Sequence, residues 1–237
     1  MNIDTLIEGS KELNIELDEK ALESFKTYKS LLQEWNEKID ITTIIEDVEV
    51  DIKHFLDSLS PVNTQLFEGN KKIIDIGTGG GFPGLPLKIY NNDLKVTLLD
   101  SLNKRIKFLD EVINTLKLKE IEAVHGRAEE LSRKKEYREQ YDICISRAVA
   151  SLDTLSEYCL PFVKVGGHFI SMKGPDVEEE LKLSRNAINT LGGKVAKVEI
   201  IKLPQSDIEH SLIIIEKVQQ SSTKYPRAGG KPRKKPL

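Results

Sequence analysis

Cysteine, tryptophan, methionine and histidine are all scarce in this 237-residue chain, at two, one, two and four residues. Cys144 falls in a strand-like run and Cys159 in a helical stretch, so they form neither a metal-type spacing nor a disulfide framework, and a reducing cytoplasm is the expected setting. His54, His125, His168 and His210 lie far apart and make no His-x-His or His-x-x-x-His pair. A metal site is therefore not expected, and each histidine reads as an ordinary strand-end or loop residue. No apolar run approaches the ~20 residues of a membrane helix, and none resembles a secretory h-region. Membrane attachment is thus not expected. With 39% hydrophobic and 31% charged residues, the chain can bury a full core under a well-solvated surface.

Glycine, by contrast, is concentrated where it is informative. Asp75-Ile76-Gly77-Thr78-Gly79-Gly80-Gly81-Phe82-Pro83-Gly84 follows Ile73-Ile74 and precedes Leu85-Pro86-Leu87, which predicts a strand, a glycine-built turn and a helix start. Glycines at 77, 79 and 81 allow positive φ and close approach of a ligand to the backbone. Pro86 suits the first turn of the next helix. A phosphate-cradling P-loop would require Gly-Lys-Ser/Thr, whereas positions 84 to 86 are Gly-Leu-Pro. The aspartate-led pattern resembles motif I of class I S-adenosylmethionine (SAM) methyltransferases. Asp100 closes the run Val96-Thr97-Leu98-Leu99, about 20 residues beyond the glycines, where nucleotide-binding units place an acid on ribose hydroxyls. It also precedes a helical stretch, so capping is the competing reading.

Further strands are expected at Ile121 to His125, Tyr141 to Ser146 and Gly167 to Met172, separated by amphipathic segments at Leu152 to Phe162 and Val177 to Leu191. This alternation predicts an α/β, doubly wound, mostly parallel sheet with ligands at the strand carboxyl ends. Val195 to Leu203 and Ser211 to Val218 are joined by too few residues for a crossover helix and should pair as an antiparallel hairpin. Such a closing strand is similar to the Rossmann-like SAM-methyltransferase sheet. Ahead of the core, Leu22, Phe25, Tyr28, Leu31, Leu32 and Trp35 recur at helical spacing after Asp18, a candidate N-cap. A second helix is expected from about Val48 to Leu59. The division that follows is a helical extension over 1–60, a SAM-binding core over 61–220 and a tail over 221–237.

The tail holds Lys224, Arg227, Lys231, Arg233, Lys234 and Lys235 and no acid, leaving 29 basic against 38 acidic residues on 1–220. Such polarity suggests an arm reaching for a polyanion, and its prolines predict an extended, loop-like course; the competing reading is that Tyr225 and the prolines pack on the body beside the cofactor mouth. Cofactor turn and basic arm together favour a nucleic-acid substrate. At the fourth strand end, Ser146-Arg147-Ala148-Val149-Ala150 supplies neither the Asn/Asp-Pro-Pro-aromatic motif of amine methylation nor the Pro-Cys of cytosine C5 chemistry. Cys144 reads as a small buried hydrophobe. A ring nitrogen such as guanine N7 carries an exposed lone pair and no proton, so alignment alone can suffice.

Glu34-Trp35-Asn36-Glu37-Lys38, His54 with Asp57-Ser58-Leu59, Asp75 to Leu87, Asp100 to Arg105, Gly126-Arg127-Ala128-Glu129, Ser146-Arg147-Ala148-Val149 and Tyr225-Pro226-Arg227 span nearly the whole chain. With them the chain resembles the 16S ribosomal RNA small-subunit methyltransferase G family, also called glucose-inhibited division protein B, of guanine-N7 methyltransferases. The resemblance implies that Gly77, Phe82, Ala128, Glu129 and Arg147 contact SAM; Gly79 from the turn and Asp100 from the second strand end are expected to join them. Ala128 and Glu129 would lie beside the adenine, and Arg147 where cofactor and guanine meet. It implies 16S rRNA or the small-subunit particle as partner, a monomer, no metal, and no assigned catalytic residue. Ala228, where a basic residue is usual, and Lys231, where threonine is common, depart from the family pattern.

Overall fold

The computed structural model describes residues 3–147 and 150–237. Ala148 and Val149, the second half of the Ser146 to Val149 motif, lie outside the described residues.

Seven strands form one sheet: β1 (Lys72–Ile76), β2 (Lys95–Asp100), β3 (Ile121–His125), β4 (Tyr141–Arg147), β5 (Val163–Lys173), β6 (Gly193–Lys202) and β7 (Glu209–Lys217), in the order β3-β2-β1-β4-β5-β7-β6. The first five strands run parallel, and β7 lies antiparallel between β5 and β6. The expected hairpin is therefore present, and its second strand is the one that joins the sheet. Central strands read as continuous apolar runs because helices cover both faces; Ile73, Ile74, Ile143 and Ile145 are all at most 2% exposed. Register places the ends of β1, β2, β4 and β5 along one edge, with Ile76 opposite Leu99, Asp100 opposite His125 and Arg147 opposite Met172.

The N-terminal helices are α1 (Asp4–Glu12) and α2 (Glu19–Asn36). Asp18 caps α2 as expected, its carboxylate accepting from Ala21 N at 2.7 Å. The apolar stripe of α2 buries Phe25, Tyr28 and Leu32 against Phe55, Phe82 and Phe108, with Tyr28 and Phe82 rings 5.5 Å apart. Each such side chain contributes about 1.5–3 kcal/mol through burial, enough to fix the helix on the core. The next helix begins as α3 (Asp47–Val50), widens into a π-helical turn over Asp51–Leu56, and tightens again through α4 (Asp57–Leu59) into a 3-10 turn over Ser60–Thr64. Such widened turns recur at functional sites. The remaining helices are α5 (Gly84–Tyr90), α6 (Asn103–Thr115), α7 (Ala128–Leu131), α8 (Leu152–Cys159), α9 (Glu178–Thr190) and α10 (Lys231–Lys234).

The tail departs from its expected course. It is not a free extended arm: Tyr225 and Pro232 are buried, and Arg227 lies bidentate on Glu157 of α8, with Nε and Nη2 donating at 2.9 and 2.6 Å. Arg138 donates to the carbonyls of Ser221 at 2.8 Å and Tyr225 at 2.9 Å, and Arg133 donates to that of Pro226. Tyrosine and proline bury apolar area that the charge count does not register, and body arginines satisfy the carbonyls freed by proline. The tail also ends in a helical turn, α10, with Pro232 where its missing N-H costs nothing.

Candidate active site

The turn after β1 is built as its glycines require. Gly77, Gly79 and Gly81 have φ of 70°, 62° and 101°. Leu99 O, at the end of β2, accepts from Gly77 N at 2.9 Å and Thr78 N at 3.1 Å, which ties the turn to the neighbouring strand. A Cβ on Gly81 would meet Tyr28 Oη at 2.7 Å, whereas one on Gly79 would meet nothing nearer than 4.0 Å. Gly81 is thus required by packing and Gly79 by backbone conformation. From α2, the buried Tyr28 hydroxyl donates to Gly80 O.

Asp75 supports the turn from beneath. Its Oδ2 accepts from Thr78 Oγ1 at 2.6 Å and Gly84 N at 2.9 Å, while Oδ1 is buried without a hydrogen-bond partner among the described residues. Full burial pushes this carboxyl up to about 6, against the hydrogen bonds from Thr78 and Gly84.

Asp100 ties the end of β2 to the glycine turn and to the approach of α6. It does not cap α6 directly, since Leu102 precedes that helix, but its Oδ1 accepts from Leu102 N at 2.9 Å. Oδ2 accepts from Gly79 N at 2.9 Å and faces Arg105 Nη1 at 3.3 Å. Its carboxylate also lines a cavity of about 320 Å³ whose walls include Gly77, Ala128, Glu129, Tyr158 and Arg233.

The expected cofactor residues separate into two places. Gly77, Asp100, Ala128 and Glu129 meet in that first cavity, on the β1, β2 and β3 side. Phe82 and Arg147 belong to a second place. Phe82 is 4% exposed and stacked on His54, rings 4.3 Å apart and 11° from parallel, with the Arg147 guanidinium 5.2 Å over its face. Arg147 lines a second cavity of about 340 Å³ with His54, Asp57, Met172, Lys173 and His210.

A hydrogen-bonded network runs through this second cavity. Arg147 Nη1 donates to Asp57 Oδ2 at 2.8 Å and to Lys53 O at 2.8 Å, and Nη2 reaches His54 Nδ1 at 3.2 Å. Because a guanidinium only donates, His54 Nδ1 must accept, so its proton sits on Nε2 and is given to Thr42 Oγ1 at 2.9 Å. Burial and the neighbouring Arg147 charge push His54 down to about 3, which keeps the ring neutral. Asp57 Oδ1 takes His210 Nδ1 at 2.7 Å. Although burial opposes it, hydrogen bonding from His210 and the Arg147 charge hold Asp57 below the usual carboxylate range.

His210 is a strand-end residue as expected, whereas His54 lies in a helix rather than in a loop or at a strand end. One stands on the π-helical turn and the other opens β7, and the fold brings them onto one carboxylate and one guanidinium. The pairing of Asp57 with His210, 153 residues apart, is one that sequence spacing does not bring together. A local hint is His54 and Asp57 three apart on one helix face. Among the described residues no group of His, Cys, Asp and Glu could hold a metal ion, and no helix is long and apolar enough to cross a membrane. Cys144 is fully buried and its thiol is pushed up by burial, so it is no nucleophile.

Residues 21–209 match the family model described as rRNA small subunit methyltransferase G. The chain is 55% identical, over 98% of its length and 97% of the relative's, to the ribosomal RNA small subunit methyltransferase G of Alkaliphilus metalliredigens. It is 49% identical to that of Clostridium tetani, over 99% and 98%. Among solved structures it is similar to M. jannaschii TYW2 in complex with AdoMet (TM-score 0.52, 17% identity, 68% of this chain and 77% of that one). It is likewise similar to TrmN from Thermus thermophilus (TM-score 0.51, 17% identity, 71% and 53%). At those identities the structural likeness concerns the fold.

Proposed function

The chain belongs to the rRNA small subunit methyltransferase G family, and from that membership and the two cavities we propose that it methylates guanine N7 in 16S rRNA. It is a SAM-dependent rRNA methyltransferase with the class I fold. Its parts are read as a helical extension over 1–60, a catalytic body over 61–220 and a tail over 221–237, working as a monomer in the cytoplasm.

The first cavity suits the adenosine half of SAM. Ile76, Leu99 and Ala128 give apolar walls for a flat ring, while Asp100 and Glu129 place acceptor oxygens for ribose hydroxyls and an exocyclic amine. Gly77 leaves backbone at the cavity wall where a side chain would take ligand space, and Gly79 holds the turn open. Asp100 Oδ1 keeps a lone pair beyond its bond to Leu102, while Oδ2 is taken by Gly79 and Arg105. When bound, SAM supplies an electrophilic methyl group on its sulfonium.

The second cavity suits the acceptor base. Ile44, Met172 and Ile208 offer apolar contact, and Lys53, Lys173, Arg147 and His210 bring cationic or donor groups. A guanine Hoogsteen edge presents two acceptors, N7 and O6, and fits such a donor-rich rim. Phe82 and Arg147, stacked on each other beside the second cavity, are read as the pair next to which the two ligands would meet.

One observation carries the choice of a ring nitrogen. The carboxylate and the imidazole in contact with Arg147 are already engaged: Asp57 by Arg147 and His210, His54 Nδ1 by Arg147. An exocyclic amine must lose a proton on methylation, whereas N7 has none to lose. The residues then act by binding, orienting and excluding water. Mass mapping of modified guanines in 16S rRNA from cells with and without the gene tests this reading. Loss of one N7-methylguanosine is expected, and an unchanged map, or loss of an N2-methyl mark instead, would overturn it.

A further inference from the structure

The tail's charge is unevenly used. Lys224, Lys231, Lys234, Lys235 and Arg233 are all exposed, and of these Arg233 lines the first cavity together with Ala128 and Glu129. The segment carrying it is pinned at both ends. Arg227 is held on Glu157, Pro232 is buried with its carbonyl accepting from Thr154 Oγ1 at 3.3 Å, and Leu237 packs against the apolar cluster beneath α8. Tyr158, on α8, lines the same cavity. Its phenol is pushed up by burial and by Glu129, and is opposed by the charges of Arg233 and Arg127. These groups thus surround one space, not separate stretches of surface.

We propose that Arg233 is a cofactor-contact residue, its guanidinium closing the outer wall of the adenosine cavity and stacking on the adenine ring. The inference rests on assigning that cavity to the adenosine half of SAM. The chemistry favours stacking over charge pairing. The adenosine half of SAM carries no charge for a cation to neutralise, whereas adenine offers a π face, and a planar guanidinium can lie flat on such a face over its whole area, which an ammonium cannot. Apolar Ile76 and Leu99 and the Ala128 methyl supply the inner wall, so the ring would lie between an aliphatic floor and a cationic lid. The basic tail then has two tasks, lysines facing outward and one arginine facing the cofactor.

Calorimetry with SAM and with adenosine, on the wild type, Arg233→Ala, Arg233→Lys and Ala128→Phe, tests the inference. Both Arg233 variants are expected to weaken SAM and adenosine alike by about 3- to 10-fold, with melting temperature unchanged, because an exposed side chain that stacks on a ring contributes modestly. Ala128→Phe, which fills the cavity, should abolish binding of both. Wild-type affinity in Arg233→Ala, or full rescue by lysine, would overturn the stacking role. Normal SAM binding by Ala128→Phe would instead overturn the cavity assignment, so the two failures are distinguishable.

Discussion

Arg147, at the end of β4, and Asp57, 90 residues earlier, form a 2.8 Å ion pair in which the carboxylate is 1% and the guanidinium 17% exposed. Both members of the pair line the second cavity. Removing one member of a buried pair leaves the other charge uncompensated. Asp57→Ala should therefore lower unfolding free energy by about 3–5 kcal/mol in urea titrations. Arg147→Ala should in addition depress methyl transfer far more than its stability loss explains. Full turnover by a folded Arg147→Ala protein would reduce the residue to a structural one.

Asp75 makes stability depend on pH in an unusual direction. Its folded carboxyl lies near 6, above the ordinary 3.8, so between those values the folded state binds more protons than the unfolded chain. Its contribution is full below about pH 3.8 and is lost as pH rises toward 6. Asp75→Asn should flatten the stability profile over that window, as measured by urea unfolding at pH 4, 5, 6 and 7. An unaltered profile would assign the slope to other carboxyls.

Two glycines should fail for different reasons. Gly79→Val adds a side chain into open space but at positive φ. A folded protein with SAM affinity reduced at least about tenfold is expected, the cost of a strained turn in front of the ligand. Gly81→Ala drives a methyl toward Tyr28 and Leu109. It should lose about 1–3 kcal/mol of stability, since overpacking a core costs that much. Calorimetry and thermal melting of the two variants separate the effects.

Deleting residues 221–237 should harm more than RNA binding. The deletion removes buried Tyr225 and Pro232 and strips Glu157 of its guanidinium partner. Melting temperature and SAM affinity should both fall. The salt slope of RNA binding should also flatten, by about 0.7–0.9 for each phosphate that the tail no longer neutralises. An unchanged melting temperature would mean that the docked course of the tail contributes little to the fold.

What can be read from the sequence follows the range of the forces involved. Strands β1 to β7, the N-cap at Asp18 and the glycine turn are local: period, capping oxygen and positive φ are written within a few residues. Asp100 is legible because nucleotide-binding units fix its distance from the glycines. The network of Thr42, His54, Arg147, Asp57 and His210 is not, since its members come from four separate parts of the chain and are joined only by tertiary packing. The docked tail is legible only as an alternative, for a related reason: Tyr225 and the prolines hint at packing, but charge and proline content describe an isolated segment, while burial of Tyr225 and Pro232 and the pairing with Glu157 decide its course.

The place of β7 between β5 and β6 has a consequence for biosynthesis. Strand β6 joins the sheet through β7, which comes later in the chain. A nascent polypeptide that has exposed everything up to Lys202 can pair β1 to β5 but leaves β6 with no ladder to join. Its edge, and the open edge of β5, await Glu209–Lys217. Completion of the sheet is therefore set by the arrival of its last strand, and stalling before that point would leave the half-built edge open to misassociation.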